Sequence, residues 1–242
     1  MGDLKAVIQA GGKGTRLAPY STVLPKALMP IGDGTVVDNL IEQFVQAGVR
    51  EVIITVSTFG PLIRSYCGDG SRWGVSISYL GEDEPLGTIG PLAALRERLD
   101  GPFFVTNSDV YTDLDLNRVL EFHDTHPGPL TVVLTPQTVN IPYGVLSYTE
   151  GRVTGFQEKP TEKFHVSTGI YCMSPEVFEF IPDSGPFGFD ELMAVMLEKE
   201  RPVNAFEHTG RWVDIGRIED LRRAQTQLTT LMDGMGDDVA AL

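Results

Sequence analysis

Three glycines and three cations stand close together near the start of the chain. In Ile8-Gln9-Ala10-Gly11-Gly12-Lys13-Gly14-Thr15-Arg16-Leu17 an apolar run leads straight into Gly11, Gly12 and Gly14. Glycines accept φ > 0 and let backbone N–H groups approach a ligand closely, which is how a phosphate cradle is built. Lys13 and Arg16 lie in the loop itself, and Lys26 follows in Leu24-Pro25-Lys26-Ala27-Leu28-Met29-Pro30. Prolines on either side stiffen the presentation of Lys26, which a glycine turn with solvated cations leaves unexplained. Donors and cations in this grouping suit a triphosphate. The spacing is neither GxGxxG, because position 17 is Leu, nor GxxxxGK[ST], so dehydrogenase and P-loop chemistry both lose ground.

Four further places carry candidate chemistry. The run Pro102 to Thr106 delivers Asn107-Ser108-Asp109, and a carboxylate at the carboxyl end of a strand in an open α/β sheet is a hard oxygen ligand suited to magnesium. The alternative for Asp109 is a helix cap. Asp214 is an isolated carboxylate in Trp212-Val213-Asp214-Ile215-Gly216, either in need of a partner or a turn residue. Asp113-Leu114-Asp115 imitates a DxD metal motif, but Asp115 reads better as an N-cap. In Gly81 to Gly90, Pro85 fixes a turn and Gly87 permits close approach, features that a plain strand-to-helix turn also shows. Glu158 beside Lys159 suits a ligand with hydroxyls and a phosphate, the carboxylate accepting O–H bonds and the ammonium offering charge. Strand neighbours point to opposite faces, so both reach one ligand only if Pro160 and a local bend re-aim them. An exposed ion pair is the other reading.

These residues need a scaffold, and the apolar pattern describes one. Short β-rich runs alternate with amphipathic stretches: Ala6 to Gln9 then Val36 to Ala47, Glu51 to Val56 then Leu62 to Tyr66, Val75 to Leu80 then Leu92 to Leu99. Such alternation predicts an α/β fold with a mixed, mainly parallel central sheet covered by helices on both faces, a three-layer α/β/α sandwich. Further strands are expected at Phe103 to Thr106, Thr131 to Thr135, Val145 to Tyr148 and Gly169 to Cys172, and helices at Val119 to His123, Asp190 to Lys199 and Glu219 to Leu228. The 242 residues read as one domain over 1–232, with a Gly- and Asp-rich, mobile tail over 233–242. A formal charge of −14 argues against a sequence-independent grip on nucleic acid or an anionic membrane. The first apolar run is too short to span a bilayer, and a soluble, cytoplasmic protein is expected. Cys67 and Cys172 lack CxxC spacing and read as buried thiols.

Gly-Gly-Lys-Gly-Thr-Arg-Leu followed in register by Pro-Lys-Ala-Leu-Met-Pro-Ile resembles the signature of the sugar-1-phosphate nucleotidylyltransferases, or nucleotide-sugar pyrophosphorylases, and the likeness continues to about Ala224. It implies a Rossmann-like nucleotidyltransferase domain with an N-terminal nucleotide half and a C-terminal sugar-phosphate half. Arg16 and Lys26 would bind and activate the nucleotide phosphates, and Gly11 and Gly12 would face the nucleoside, with Gly14 and Thr15 in the same loop. Pro85, Leu86, Gly87 and Thr88 would form the base-binding loop. Asp109 and Asp214 would share one Mg²⁺. The sugar phosphate would meet Asn107, Gly144, Glu158, Lys159, Thr168 and Gly169. Pro142-Tyr143-Gly144-Val145, Gly151-Arg152-Val153 and Phe156 to Pro160 look most like the mannose-1-phosphate and manno-heptose-1-phosphate guanylyltransferase branch, which favours GTP and a manno-configured sugar while leaving thymidylyl, uridylyl and cytidylyl transfer open. The expected partners are an NTP and a sugar 1-phosphate, with no nucleic acid and no membrane, and a homodimer is a guess without a residue to carry it. The sequence stops without an appended β-helix, so a monofunctional enzyme is expected. A glycosyltransferase and a silent regulatory subunit are the rival classes.

Overall fold

A computed structural model describes residues 3–12 and 14–226. Strand β1 (Lys5–Ala10) has Ala6, Val7 and Ile8 fully buried, as a strand covered on both faces requires, and its sequence is accordingly a continuous apolar run. Two short strands, β2 (Pro30–Ile31) and β3 (Gly34–Thr35), lead to α1 (Val36–Gln46). A capping box starts this helix: Asp38 N–H donates to Thr35 Oγ1 (3.4 Å) and Thr35 N–H to Asp38 Oδ2 (2.7 Å), satisfying two amides that lack intrahelical acceptors. The chain continues through β4 (Glu51–Val56), α2 (Gly60–Cys67), β5 (Ser76–Gly81), β6 (Phe103–Asn107), β7 (Val110–Thr112), α3 (Leu116–Thr125) and β8 (Leu130–Asn140). After β9 (Val145–Thr149) and β10 (Arg152–Gln157) come β11 (Thr161–Met173), α4 (Phe189–Glu198), β12 (Val203–Glu207) and β13 (Trp212–Asp214). Helical backbone also covers residues 218–226.

Seven strands form the central sheet in the order β12-β8-β11-β6-β1-β4-β5. All neighbouring pairs are parallel except those made by β11, which runs against both β6 and β8. Successive side chains of β1 enter different cores, as a period of two dictates. Ala6 and Ile8 pack with Leu40, Ile41 and Phe44 of α1 and with Val119 of α3, whereas Val7 packs with Leu92, Leu95, Phe178 and Leu192. The expected three-layer α/β/α arrangement with a mixed, mainly parallel sheet is present.

Three local outcomes differ from or sharpen the pattern reading. Residues 92–99 are not an α-helix. Gly90–Leu95 is a 3-10 segment followed by turns, because the amides of Ile89 and Gly90 both donate to the Phe187 carbonyl (3.0 and 2.9 Å), so a tertiary contact sets the first turn. Strands β8 and β11 extend well past their apolar runs into a solvent-exposed ribbon, paired out to Asn140↔Thr161, where nothing apolar is buried to announce a strand. Asp115 is the N-cap of α3, its carboxylate accepting Asn117 N–H at 3.0 Å. Both cysteines are buried thiols, and burial pushes Cys67 up to about 12. Among the described residues no helix is long and apolar enough to cross a membrane. The expected helix at 219–228 is helical over its described residues, 219–226, and its last two residues and the tail over 233–242 lie outside the described residues.

Candidate active site

The carboxyl ends of β1, β4 and β6 open into one cleft of about 310 Å³. The glycine loop supplies Gly11, Gly12, Gly14 and Lys26 to its lining, the turn after β5 supplies Pro85 to Thr88, and the end of β6 supplies Asn107 and Asp109. Two segments separated by some seventy residues in sequence thus meet across the sheet edge, where open α/β folds bind ligands. Gly14 has φ 61, and a Cβ there would lie 3.0 Å from Lys26 Cγ, so the lysine stem crosses over the glycine. Gly11 is closed in by Glu82, whose Oε1 lies 2.5 Å from where a Cβ would be, and its carbonyl accepts the Ser57 hydroxyl at 2.6 Å. Gly12 faces open space. Thr15 and Arg16 are exposed on a 3-10 turn, Thr15–Leu17. Lys13 lies outside the described residues.

Two cations of this loop, Lys26 and Arg16, meet the segments whose carboxylates are expected to hold metal. Lys26 Nζ pairs with Asp109 Oδ2 at 2.5 Å, with 14% and 17% of the two side chains exposed. Strand β13 lies antiparallel to β7 with Asp214 opposite Val110, and the Ile215 amide donates to the Asp109 carbonyl at 2.8 Å. Residues 105 apart in sequence are therefore held side by side by two short strands that, among the described residues, pair only with each other. Burial first, and the Asp109 charge second, raise the Asp214 carboxyl above the usual carboxylate range, against the pull of Lys26 and Arg16. The Arg16 guanidinium reaches this motif, 3.6 Å from where Gly216 would carry a Cβ. A partly buried pair of carboxylates, Asp214 raised by burial and by its neighbour, offers only oxygen donors and fits a hard divalent cation. No group of three or more His, Cys, Asp or Glu side chains that could hold a metal ion occurs among the described residues.

The loop over Pro85 to Thr88, the candidate base-binding segment, is tied down by three hydrogen bonds. Phe187 N–H donates to the Leu86 carbonyl (2.9 Å), Phe189 N–H donates to Thr88 Oγ1 (3.0 Å), and Gln9 Nε2 donates to the Thr88 carbonyl. Gly87 has φ 77, and a Cβ there would meet the Phe187 carbonyl oxygen at 2.7 Å. Thr88 therefore holds the loop with both of its oxygens. Glu82, Gln9 and Thr55 also line the cleft and were not singled out by motif. Gln9 stands in register with Thr55 on one side and Asn107 on the other, a polar row across the floor, and Gln9 Oε1 and Thr55 Oγ1 are buried without a hydrogen-bond partner among the described residues. A polar residue ending an otherwise apolar central strand was the available signal for Gln9, and a carboxylate one residue past β5 was the signal for Glu82.

The sugar-phosphate candidates lie beside this cleft. Gly169, at φ 77, leaves room for Asn107, whose Nδ2 sits 2.5 Å from where a Cβ would be, so these two residues come together. Thr168 is fully buried, and its hydroxyl donates to the Val133 carbonyl at 2.9 Å while accepting Ile170 N–H at 3.3 Å. Its carbonyl accepts Trp212 Nε1–H at 2.9 Å, which leaves Thr168 fastening β11 to β13. Gly144 packs under Phe156 and Glu158, with Glu158 Oε2 3.2 Å from the position of a Cβ. Lys159 has φ 46, a left-handed conformation uncommon outside glycine. This is the bend that lets neighbours share a side: Lys159 Nζ and Glu158 Oε1 are 3.9 Å apart, 68% and 62% exposed. Gly144, Glu158 and Lys159 form a second cluster outside the cleft lining.

Comparisons agree with this architecture. The model of the family described as nucleotidyl transferase matches residues 5–230. The mannose-1-phosphate guanylyltransferase catalytic subunit beta of Danio rerio is 37% identical over 225 residues, covering 90% of this chain and 62% of that protein. The chain thus spans about three fifths of the length of such relatives. HddC from Yersinia pseudotuberculosis, also solved in complex with GMP-PN, superposes with a TM-score of 0.71 at 26% identity, covering 93% of this chain and 99% of that one. A putative glucose-1-phosphate thymidylyltransferase from Bacillus anthracis shares the fold, with a TM-score of 0.76 at 24% identity over 93% of this chain and 94% of that one. With a cleft that joins a cationic glycine loop to paired carboxylates, and with a family match over nearly its whole length, the chain belongs to the nucleotidyl transferase family.

Proposed function

We propose that this chain transfers a nucleoside monophosphate from an NTP to a sugar 1-phosphate, releasing pyrophosphate, with GTP and mannose 1-phosphate as the preferred pair. The observation that carries the reaction is the convergence of Lys26, Asp109 and the Pro85 to Thr88 loop on one cleft. In the reaction a phosphate oxygen of the sugar 1-phosphate attacks the α-phosphorus, a P–O bond forms, and the bond to the pyrophosphate oxygen breaks. No protein nucleophile is needed, and positioning with charge neutralisation does the chemistry. Lys26 Nζ, held by Asp109 at 2.5 Å, exchanges that carboxylate for a phosphate oxygen when the triphosphate enters, and Arg16 approaches from the Asp214 side. Asp109 and Asp214 would hold Mg²⁺, which when bound neutralises phosphate charge. Glu158 and Lys159 take the sugar hydroxyls and the attacking phosphate.

The preference for guanine rests on Glu82, which closes the Gly11 end of the cleft with a group that only accepts hydrogen bonds. Guanine offers adjacent N–H and NH₂ donors to a carboxylate, whereas uracil and thymine place one N–H between two carbonyls that a carboxylate repels. The names of the guanylyltransferase relatives and the GMP-PN complex of HddC support the same base. A pyrophosphate-release panel crossing five NTPs with several sugar 1-phosphates at fixed Mg²⁺ tests the reading. GTP with mannose 1-phosphate should lead, while silence across every pair would favour a regulatory, non-catalytic protein.

A further inference from the structure

Two oxygens in the floor of the cleft are buried with nothing to bond. Gln9 Oε1 and Thr55 Oγ1 have no hydrogen-bond partner among the described residues, although both residues line the cleft. Buried polar groups are hydrogen-bonded with few exceptions, and an unmade bond costs more than a made one returns. The sheet sets where these oxygens stand. Gln9 lies opposite Thr55 of β4 and Asn107 of β6. Residues two apart on a strand share a face, and Val7, Ile53 and Val105 all pack on the face covered by Ile89 and Leu92, so Gln9, Thr55 and Asn107 turn to that face as well. The Gln9 amide is oriented there, because Nε2 donates to the Thr88 carbonyl, and Oε1 is left as an acceptor. The polar row thus runs from Glu82, beside Gly11 at the end of β5, through Thr55 and Gln9 to Asn107 and Asp109.

We propose that this pair reads the sugar-side edge of guanine: Gln9 Oε1 accepts the second hydrogen of the 2-amino group, and the Thr55 hydroxyl donates to N3. The inference rests on the guanine reading given above, in which Glu82 takes N1–H and the first amino hydrogen. That leaves one amino hydrogen and the N3 lone pair side by side on the edge leading to the ribose, a donor next to an acceptor, and the amino group is what distinguishes guanine from other purines there. One acceptor and one hydroxyl on neighbouring strands ~4.8 Å apart match that pair in kind and in spacing. The terminal amide torsion of glutamine is soft, so a turn about it brings Oε1 to the cleft surface. The order of the row also follows the order of the nucleotide, with the N1 edge at Glu82, the amino group and N3 at Gln9 and Thr55, and the phosphates toward Asp109 and Lys26.

Equilibrium binding of GTP and ITP to the full chain, with Mg²⁺ and no sugar phosphate, tests this. ITP keeps N1–H and N3 but lacks the 2-amino group. The wild type should bind GTP more tightly than ITP, and in Gln9→Leu the ratio of the two affinities should fall about fivefold. Loosening of the loop that Gln9 holds at Thr88 would weaken both nucleotides alike and leave the ratio unmoved. Thr55→Val should lose about fivefold for both nucleotides with the ratio intact, and Thr55→Ser, which keeps the hydroxyl, should bind as the wild type does. With GTP still the preferred NTP, an unchanged ratio in Gln9→Leu, undiminished binding by Thr55→Val or no rescue by Thr55→Ser would overturn this inference alone. A wild type that prefers a pyrimidine triphosphate would overturn the guanine reading itself, and this inference with it.

Discussion

The two halves of the candidate site are built to different standards of order. On the candidate nucleotide side several segments that line the cleft are fastened to others. Lys26 is paired with Asp109, the base loop is held by Gln9, Phe187 and Phe189, and Gly11 is held by Ser57. On the sugar-phosphate side Glu158 and Lys159 stand about two-thirds exposed on a narrow ribbon, aimed by one left-handed residue. A triphosphate is the same in every reaction of this kind, so a preformed cradle lowers the ordering cost of binding it. Under the proposed function the variable partner would be met by a ribbon that the central sheet supports at one end only, where substitutions could change recognition without disturbing the core.

That contrast can be broken or sharpened by substitution. Among substitutions that separate the two halves, the largest effect is expected for Glu82→Gln, which replaces one acceptor oxygen by a donor: GTP should lose about 10- to 100-fold in kcat/KM relative to UTP, the worth of a hydrogen bond to a charged group at ~1.5–3 kcal/mol. Unchanged NTP selectivity would remove Glu82 from base reading. Lys159→Met comes next, with the KM for the sugar 1-phosphate raised about tenfold by loss of a charge-assisted contact of ~1.4 kcal/mol or more. Its KM for the NTP should stay put, and a parallel rise in both would show that the halves are not separable. Thr88→Val removes the acceptor for Phe189 N–H and should raise the KM for the NTP roughly fivefold, the ~1 kcal/mol of a neutral hydrogen bond. Thr88→Ser, which keeps the oxygen, should restore it; if serine fails to rescue, the latch is not what positions the loop.

The smallest effect concerns the sheet that both halves share. His123 bridges Thr131 of β8 and Ser174 after β11, at 2.8 Å to each, and burial holds its imidazole below the ordinary histidine range. The unfolded chain therefore binds the proton more readily, so stability is full above the unfolded value of about 6.5 and falls as pH drops through and below it. Chemical denaturation should show a shallower pH slope in that window for His123→Gln. An unchanged slope would assign the acid sensitivity to other groups.

Much of the cleft was legible because its parts sit at ends of apolar strands. The glycine loop follows β1, Asp109 follows β6, and a strand that is buried on both faces announces itself by an unbroken apolar run. Asp214 was readable as a carboxylate, but only the family resemblance, and no local pattern, supplied Asp109 as its neighbour, since the β7–β13 pairing is a long-range contact of two three-residue strands. The exposed ends of β8 and β11 carry no apolar periodicity, which hid the ribbon that displays Glu158 and Lys159. Thr88 was read as a ligand contact and lines the cleft, and its oxygens also hold Phe189 and Gln9, a role that depends on α4 and leaves no trace in the local sequence. Gln9 and Glu82 were missed because each is a lone polar residue whose meaning lies in a partner on another strand.

The claim on which the account turns is that Lys26 leaves Asp109 to take a phosphate oxygen of the triphosphate. Single-turnover pyrophosphate release from GTP and mannose 1-phosphate should be slower in Lys26→Ala than in the wild type by ~10²–10³, with Tm preserved. Near-wild-type release by that variant would contradict the assignment of the glycine loop and its lysine as the catalytic wall of the site.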